Sequence, residues 1–304
     1  MSFKDSKLLG HIASFLAYTI FGFNIILTKD LMGSGAASPL ALFTMRAIGA
    51  ALCFWTLSIF APAEKVEKRD LPRIALASFT GFFLTQVTFL KGITLATPLD
   101  CSIISTLSPV FTMLVAALVL KEPLTVKKAG GVLLGLAGII LLILNSVSVK
   151  SSGVSETTPY GIVLLVLNSL SFATYLGAFR PLIRKYNVVT FMKWIFLFAI
   201  IMTLPFTAGE IVTLDYASIP GKCWWELAYL IVMATFVAYY LVPLGQQRLR
   251  PTVVSLYSYL QPMIATIMGI ALGMDRMTWT KAACFAMVIA GAVLVNRSKA
   301  KAQV

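Results

Sequence analysis

Long apolar runs separated by short polar turns cover almost the whole chain. A helix that crosses a bilayer needs about 20 predominantly apolar residues. By this measure the pattern predicts ten spans, numbered 1 to 10 in chain order: residues 9–30, 39–60, 72–91, 98–120, 126–145, 160–180, 189–208, 223–245, 251–272 and 278–296. The longest polar gap contains SVKSSGVSETTP and is predicted to be a linker.

The apolar runs form two copies of one pattern. The stretch 102–138 returns 153 residues later without a gap, so that Pro109 falls on Pro262 and Gly138 falls on Gly291. A fixed offset over this distance indicates an internal duplication. The predicted organisation is a first five-helix repeat at 8–145, a linker at 146–159, a second five-helix repeat at 160–296 and a basic tail at 297–304.

The distribution of Lys and Arg predicts the orientation in the membrane, because basic residues accumulate in cytoplasmic loops. With the N-terminus in the cytoplasm, 17 basic residues lie on that side and 6 on the other, while Arg46 and Lys193 lie within spans. Both termini are therefore predicted to be cytoplasmic. Since each repeat has five spans, the second repeat begins on the opposite side of the bilayer from the first.

Together these observations predict an all-α membrane protein with ten transmembrane helices arranged as two inverted five-helix repeats. Many secondary transporters have this architecture, and they bind their substrate near the midplane, where the repeats meet. A channel or a scramblase can also be built in this way.

Composition supports the membrane assignment and removes several other classes. The chain has 304 residues, of which 59% are hydrophobic and 12% are charged, and its mean hydropathy is +0.88. Soluble domains carry about 25% charged residues. The net charge of +13 is accounted for by loop residues, so no nucleic-acid partner is expected. The four cysteines lie in or beside apolar runs without metal-ligand spacing and are interpreted as small buried hydrophobes.

Arg46 is the most informative ionisable residue, because a charge deep in a span is costly unless it faces protein or water. It lies about eight residues into span 2, roughly 12 Å below the surface at 1.5 Å per residue. One interpretation is an electrostatic anchor for a substrate carboxylate. The other is a structural tie to helix-end carbonyls or to a polar residue of a neighbouring span.

Neutral polar residues recur on single faces of several spans, as a polar stripe on a helix requires. Bonding between helices explains isolated Ser and Thr residues, whereas four mid-span amides favour a hydrogen-bonding cavity. The candidate lining of a substrate pathway is Asn24, Arg46, Gln86, Ser105, Ser108, Asn168, Tyr175, Tyr239, Tyr257 and Gln261.

Two prolines at equivalent depths in the repeats are candidate hinges. Pro109 and Pro262 each remove one backbone hydrogen bond and are expected to kink spans 4 and 9. The kinks can act as hinges for alternating access, or they can be static bends.

Several kinds of chemistry have no matching pattern. All twelve acidic residues lie at span ends or in loops, whereas proton-coupled carriers bury a carboxylate or a histidine near mid-membrane. A Walker motif, an HExxH motif and a Ser/His/Asp arrangement are absent from the sequence. We therefore expect no catalytic residues, no metal and no cofactor. A facilitator, an exchanger, or coupling through a residue that the pattern does not identify remain open.

Several motifs of the sequence resemble those of a known family. The Ser102-x6-Pro109 element, the turn Lys121-Glu122-Pro123-Leu124 and the small residues Gly131, Gly135 and Gly138 are similar to the EamA-type repeat of the drug/metabolite transporter superfamily. Phe21-Gly22 in span 1 and Arg46 in span 2 also match. In the second repeat Asp275-Arg276 replaces Glu-Pro, and only Gly291 of the glycine stripe remains.

The resemblance implies a secondary transporter of a small organic metabolite in a bacterial-type inner membrane. Amino acids or related carboxylates, moved outward, are the expected substrates. The alternatives are a nucleoside, a sugar phosphate, a drug or an amine as substrate, or else a lipid flippase or an intramembrane enzyme. The expected partners are the lipid bilayer and the substrate, and the sequence leaves open whether the protein is a monomer or a homodimer.

Overall fold

The computed structural model describes residues 7–120, 126, 130–131, 133–138, 140–141, 157–212, 214–273 and 277–297. Within these ranges the chain forms helices and turns, and none of the described residues is in a β-strand. Nine of the twenty residues of span 5, the turns that contain Glu122 and Asp275, most of the predicted linker and the basic tail beyond Arg297 lie outside the described residues.

Seven of the described helices are long and apolar enough to cross a membrane. They are Lys7–Gly33 (span 1), Pro39–Phe60 (span 2), Lys68–Thr94 (span 3), Pro98–Val119 (span 4), Pro159–Ala178 (span 6), Val188–Val212 (span 7) and Gly221–Arg248 (span 8). Span 9 consists of Pro251–Leu256, the 3-10 turn Tyr257–Tyr259 and Leu260–Ala271, and span 10 is the helix Trp279–Arg297. Spans 1, 3, 7 and 8 extend beyond their predicted bounds by up to four residues at an end, because a helix is not limited to its apolar run.

Spans 3 and 8 each contain a π-helical segment. The segments are Phe79–Phe83 and Tyr229–Val237, and a shift of 153 residues carries the first into the second. A carbonyl of each segment accepts from a threonine hydroxyl five residues later, Thr80 from Thr85 at 2.6 Å and Leu230 from Thr235 at 2.7 Å. π segments are rare in proteins, and those that occur are often found at functional sites.

Spans 4 and 9 are both interrupted near their middle. In span 4 the helix Pro98–Ser105 ends, and the helix Ser108–Leu120 begins after a short turn. In span 9 the interruption is the 3-10 turn before Leu260. Pro109 and Pro262 thus lie in the first turn of the helix that follows each interruption, where a proline costs no helical hydrogen bond.

One end of the bundle gathers the starts of spans 1 and 9 and the end of span 8; we call it the His11 end. His11 Nδ1 lies 2.7 Å from the hydroxyl of Tyr257. Gln247, one residue before the end of span 8, donates from Nε2 to the carbonyl of Tyr186 at 2.9 Å. Tyr186 follows span 6, so span 6 ends at the His11 end.

A compact ion-pair cluster links the two halves of the chain at the His11 end. Lys185 Nζ lies 2.6 Å from Asp70 Oδ2 and 2.5 Å from Glu67 Oε1, and the Tyr186 hydroxyl donates to Asp70 Oδ2 at 2.7 Å. The hydrogen bonds to Asp70 and Glu67 raise the pKa of Lys185, so its ammonium stays charged over the physiological range.

The opposite end of the bundle, which we call the Asp100 end, gathers the ends of spans 1 and 3 and the starts of spans 4, 6 and 10. Lys29 Nζ donates to the carbonyl of Ala96 at 2.8 Å. Asp100 accepts a hydrogen bond from Thr157 and lies 3.3 Å from Lys281 Nζ. Span 1 therefore begins at the His11 end, whereas span 6 begins at the Asp100 end.

The packing of the spans follows the same duplication. Span 1 packs against spans 8 and 9, and span 6 packs against spans 3 and 4; span 2 packs against span 7. If each span of the first half is exchanged for its equivalent in the second half, the pair of spans 1 and 8 becomes the pair 6 and 3. The pair 1 and 9 likewise becomes 6 and 4, and the pair 2 and 7 is unchanged. The two halves thus bury their apolar surface mainly against each other.

Candidate functional site

A cavity lies between the two halves of the chain. It encloses an empty volume of about 550 Å³, which includes space open to solvent, and residues of spans 1, 2, 3, 4, 6, 8 and 9 line it. Eight of the ten candidate pathway residues meet there: Asn24, Arg46, Gln86, Ser105, Ser108, Asn168, Tyr239 and Gln261.

The other two candidates lie elsewhere. The Tyr175 ring is buried behind the cavity wall, stacked on Phe172 with 5.9 Å between ring centroids and packed against the backbone of Gly81. Tyr257 faces His11 at the His11 end. Each of the two tyrosines shares a helical face with a residue that lines the cavity. The depth and rotation of its helix nevertheless keep the tyrosine outside the cavity.

Six further lining residues were not predicted, and four of them are aromatic: Tyr18, Phe21, Ile25, Thr85, Phe89 and Phe172. Helical spacing from the predicted polar residues is the signal that could have identified them. Phe21 precedes Asn24 by three residues and Phe172 follows Asn168 by four, so each pair shares one face. Phe21, Ile25, Phe89 and Phe172 are apolar, so the spacing of polar residues alone does not identify them.

The aromatic side chains form an edge-to-face wall around Phe21. The centroid of its ring lies 5.8 Å from that of Tyr18, 6.2 Å from that of Phe172 and 5.9 Å from that of Tyr239. Such pairs prefer this geometry because the positive edge of one ring meets the negative face of the next. The wall is apolar and offers an incoming molecule broad, stiff contact surfaces.

Arg46 supplies the only charge among the described lining residues. Span 2 begins after Ser38, whose Oγ accepts from the backbone nitrogen of Ala41 at 3.0 Å, and Arg46 lies about two turns further in. Its side chain is completely buried. Nε donates to Thr235 Oγ1 at 2.8 Å, whereas neither Nη1 nor Nη2 has a hydrogen-bond partner among the residues that the structure describes.

The structure shows the tie of Arg46 to a neighbouring span, and its role as an anchor for substrate stays a prediction. The tie at Nε leaves the two Nη groups as donors beside the cavity. A planar guanidinium with two such donors matches the two oxygens of a carboxylate. A buried charge without a counter-ion is expensive, so an anion entering the cavity gains strongly from meeting it.

Gln86 and Tyr239 join the two halves at the cavity. Gln86 Nε2 donates to the Tyr239 hydroxyl at 3.3 Å, and that hydroxyl donates to the carbonyl of Gly81 at 3.3 Å. The two residues are 153 positions apart and so occupy equivalent places in the repeats. These two equivalent positions therefore meet where the two halves of the chain contact each other.

The side-chain amides at the cavity form hydrogen bonds with other described residues at some of their atoms but not at all of them. Asn168 Nδ2 donates to the carbonyl of Thr85 at 2.7 Å, and Asn24 Oδ1 accepts from Thr28 Oγ1 at 3.4 Å. Gln86 Oε1 is buried and has no partner within the described part of the chain. The cavity therefore offers both donors and acceptors in addition to its single cation.

We expect Tyr239→Phe to lower the free energy of unfolding by about 1–3 kcal/mol, because Gln86 Nε2 and the Gly81 carbonyl lose a buried partner. Thermal unfolding of the detergent-solubilised protein measures the effect. Tyr240→Phe is the matched control, since Tyr240 does not line the cavity. Equal unfolding temperatures for the two variants would show that the hydroxyl contributes nothing to the contact between the halves.

Comparison with known proteins gives a consistent result. The profile described as the EamA-like transporter family matches residues 8–144 and again residues 159–297. The uncharacterized transporter YetK of Bacillus subtilis (strain 168) is 23% identical over 210 residues, which are 67% of this chain and 61% of YetK. The chain thus spans less than two thirds of the length of that relative.

Two further comparisons cover nearly the whole chain. An uncharacterized transporter of Archaeoglobus fulgidus is 21% identical over 285 residues, 93% of this chain and 98% of that protein. One solved crystal structure superposes with a TM-score of 0.67 at 16% identity and covers 98% of this chain and 100% of its own. At that identity the superposition shows a shared fold.

Proposed function

The chain belongs to the EamA-like transporter family, and on this basis we propose that it moves a small organic carboxylate, such as an amino acid, across the inner membrane. Multi-pass membrane transport follows from the family and from the long apolar helices. The nature of the substrate, the outward direction and the alternating-access mechanism are our proposal.

The choice of substrate rests on one observation: the two Nη groups of Arg46 have no hydrogen-bond partner among the described residues. Both Nη atoms are buried beside the cavity, and none of the described lining residues is acidic. A free organic cation would meet one positive charge and no compensating negative charge. A phosphate ester would require several basic residues, and the described lining has one. A carboxylate with an apolar body fits both the cation and the aromatic wall.

The arrangement of the span ends supports inverted repeats and alternating access. Span 1 begins at the His11 end and span 6 at the Asp100 end, as the contacts of His11 and Asp100 indicate. The cavity lies between the halves, and the interruptions of spans 4 and 9 occupy equivalent positions. We propose that the segments after Pro109 and Pro262 tilt relative to the rest of their spans and expose the cavity to each side in turn.

The excess of basic residues supports an orientation with the His11 end in the cytoplasm, so that both termini are cytoplasmic. A protease-sensitive tag at the C-terminus should then resist cleavage in intact spheroplasts and be cleaved after lysis. Cleavage in the intact spheroplasts would show that the C-terminus lies outside, and it would contradict the proposed orientation and the proposed direction of transport.

Transport by purified protein in liposomes tests the substrate class. The panel pairs each carboxylic acid with its primary amide, and uptake and efflux are both followed, with and without a pH gradient. We expect saturable movement of at least one acid and no movement of its amide, because the amide lacks the charge that Arg46 binds. Movement of acid and amide at equal rates, or of phosphates or amines alone, would refute the proposal.

A pH gradient should not drive accumulation. None of the described lining residues is an acid or a histidine, so the described cavity has no group with an ordinary pKa suited to carrying a proton across the bilayer. Equal initial rates with and without the gradient are therefore expected. Gradient-driven accumulation against a concentration difference would contradict this interpretation.

A further inference from the structure

We infer that Thr235, in the π segment of span 8, is a positioning residue that holds Arg46 so that both of its Nη groups remain available to the cavity. In its functional consequence the inference rests on the proposed role of Arg46 as the carboxylate anchor. The contact itself is independent of that role. Thr235 does not line the cavity, so any effect on binding passes through Arg46.

The hydrogen-bond pattern of Thr235 gives its hydroxyl a defined direction. A threonine hydroxyl has one proton to donate and two lone pairs. Thr235 Oγ1 donates to the carbonyl of Leu230 at 2.7 Å, which leaves its lone pairs to accept from Arg46 Nε at 2.8 Å. Both side chains are completely buried, so water does not compete for either bond.

The π segment brings the acceptor carbonyl within reach. In a regular α-helix a threonine hydroxyl bonds the carbonyl three or four residues earlier. Here the partner lies five residues earlier and within the π segment Tyr229–Val237. The irregular helix therefore orients the hydroxyl that orients Arg46.

A similar set of hydrogen bonds lies at the π segment of span 3, on the other side of the cavity. Thr85 bonds the carbonyl of Thr80, also five residues earlier, and the carbonyl of Thr85 accepts from Asn168 Nδ2 at 2.7 Å. Ser171 also donates to the carbonyl of Thr80, at 2.6 Å. In both cases a polar side chain of a neighbouring span, Arg46 or Asn168, bonds a threonine whose hydroxyl donates to a carbonyl of a π segment.

Holding Nε matters because it fixes the plane of the guanidinium. With Nε bonded, the two Nη donors are confined to one orientation, which lowers the entropy lost when a carboxylate binds. Without Thr235 the side chain can rotate toward other carbonyl acceptors, and its donors are then no longer ready for the ligand.

The variants are Thr235→Val, which keeps the shape and removes the hydroxyl, and Thr235→Ser, which keeps the hydroxyl. Thr203→Val is the matched control, since Thr203 is also completely buried and, among the described residues, its hydroxyl bonds only the carbonyl of Ala199 in its own helix, at 2.6 Å. For an acid found in the liposome panel we expect Thr235→Val to raise KM about tenfold with little change in maximal rate. Thr235→Ser should restore most of the affinity, and Thr203→Val should leave KM unchanged.

A double-mutant cycle separates positioning from general packing. In an Arg46→Gln background, Thr235→Val should have no further effect on KM, because the group that it positions is already absent. An equal loss in both backgrounds would overturn the inference. So would a normal KM for Thr235→Val in a protein whose Arg46→Gln variant is defective, and in that case the proposed function would stand while the inference fails.

A measurement without substrate decides the contact even if the proposed function fails. Arginine-selective ¹⁵N NMR in nanodiscs reports the exchange of the Arg46 Nε proton with solvent, with Arg46→Lys identifying the signal. We expect exchange to be about tenfold faster or more in Thr235→Val and near wild type in Thr235→Ser and Thr203→Val. Unchanged exchange in Thr235→Val would overturn the inference directly.

Discussion

Arg46→Gln is expected to reduce transport of carboxylates by about 100-fold or more, measured as the ratio of maximal rate to KM in liposomes. Removing one partner of a buried charge pair costs about 3–5 kcal/mol, and each 1.4 kcal/mol is a factor of ten. Glutamine keeps a hydrogen-bonding amide but is two atoms shorter than arginine, so the loss combines the missing charge, the missing two-donor geometry and the shorter side chain.

Two further variants make the result specific. Arg46→Lys keeps the charge without the planar pair of donors and should transport at an intermediate rate. Lys193→Gln removes a basic residue of span 7, whose ammonium lies 5.2 Å from the centre of a Trp55 ring, and it should leave transport unchanged. Arg46→Gln should unfold at the same temperature as wild type or higher, since it removes an unpaired buried charge. Full carboxylate transport by a folded Arg46→Gln protein would remove Arg46 from the mechanism.

Gly291→Ala is expected to lower the free energy of unfolding by about 1–3 kcal/mol, the usual cost of inserting a methyl group into a packed interior. A Cβ at this position would lie 2.5 Å from the carbonyl oxygen of Gly131 and 2.8 Å from the backbone nitrogen of Gly135. Both are backbone atoms, which cannot rotate away as a side chain can. Spans 5 and 10 would have to separate, and Gly291→Val should be more severe.

Gly209→Ala is the control for this prediction. Gly209 lies in the helix Val188–Val212, and no heavy atom outside its own helix backbone lies within 4 Å of the position that its Cβ would take. Alanine there is expected to be neutral or to stabilise by about 0.4–1 kcal/mol, because it restricts the unfolded chain. The readout is the unfolding temperature in detergent. If the two alanine variants unfold together, the close approach at Gly291 does not contribute to stability.

The glycine stripe also shows how far a sequence pattern can be interpreted. Small residues at Gly131, Gly135 and Gly138 predict the close approach of another helix, either within the bundle or in a dimer. The structure packs Gly138 against Val288, and it packs the first two against Gly291. Glycine spacing indicates that something approaches closely, but it does not identify the approaching surface.

The class of protein, its duplication and its family follow from the sequence alone. Hydropathy is a local property, and a membrane helix satisfies its backbone hydrogen bonds internally, so span-length apolar runs can be recognised without knowledge of their neighbours. The resemblance to the EamA family is confirmed by the family match over both halves. Helical periodicity also identified most polar residues of the cavity, because an isolated amide or Arg46 within a span has few acceptable surroundings except other polar groups.

Only the tertiary structure decided which residues face one another. It excluded Tyr175 and Tyr257 from the cavity, added the aromatic wall around Phe21, and brought Thr235 to Arg46 across 189 positions of sequence. The rotation and depth of each span are determined by packing against the others, and the π segments change the helical register within a single span. Periodicity in the sequence assumes a regular helix and carries no information about either effect.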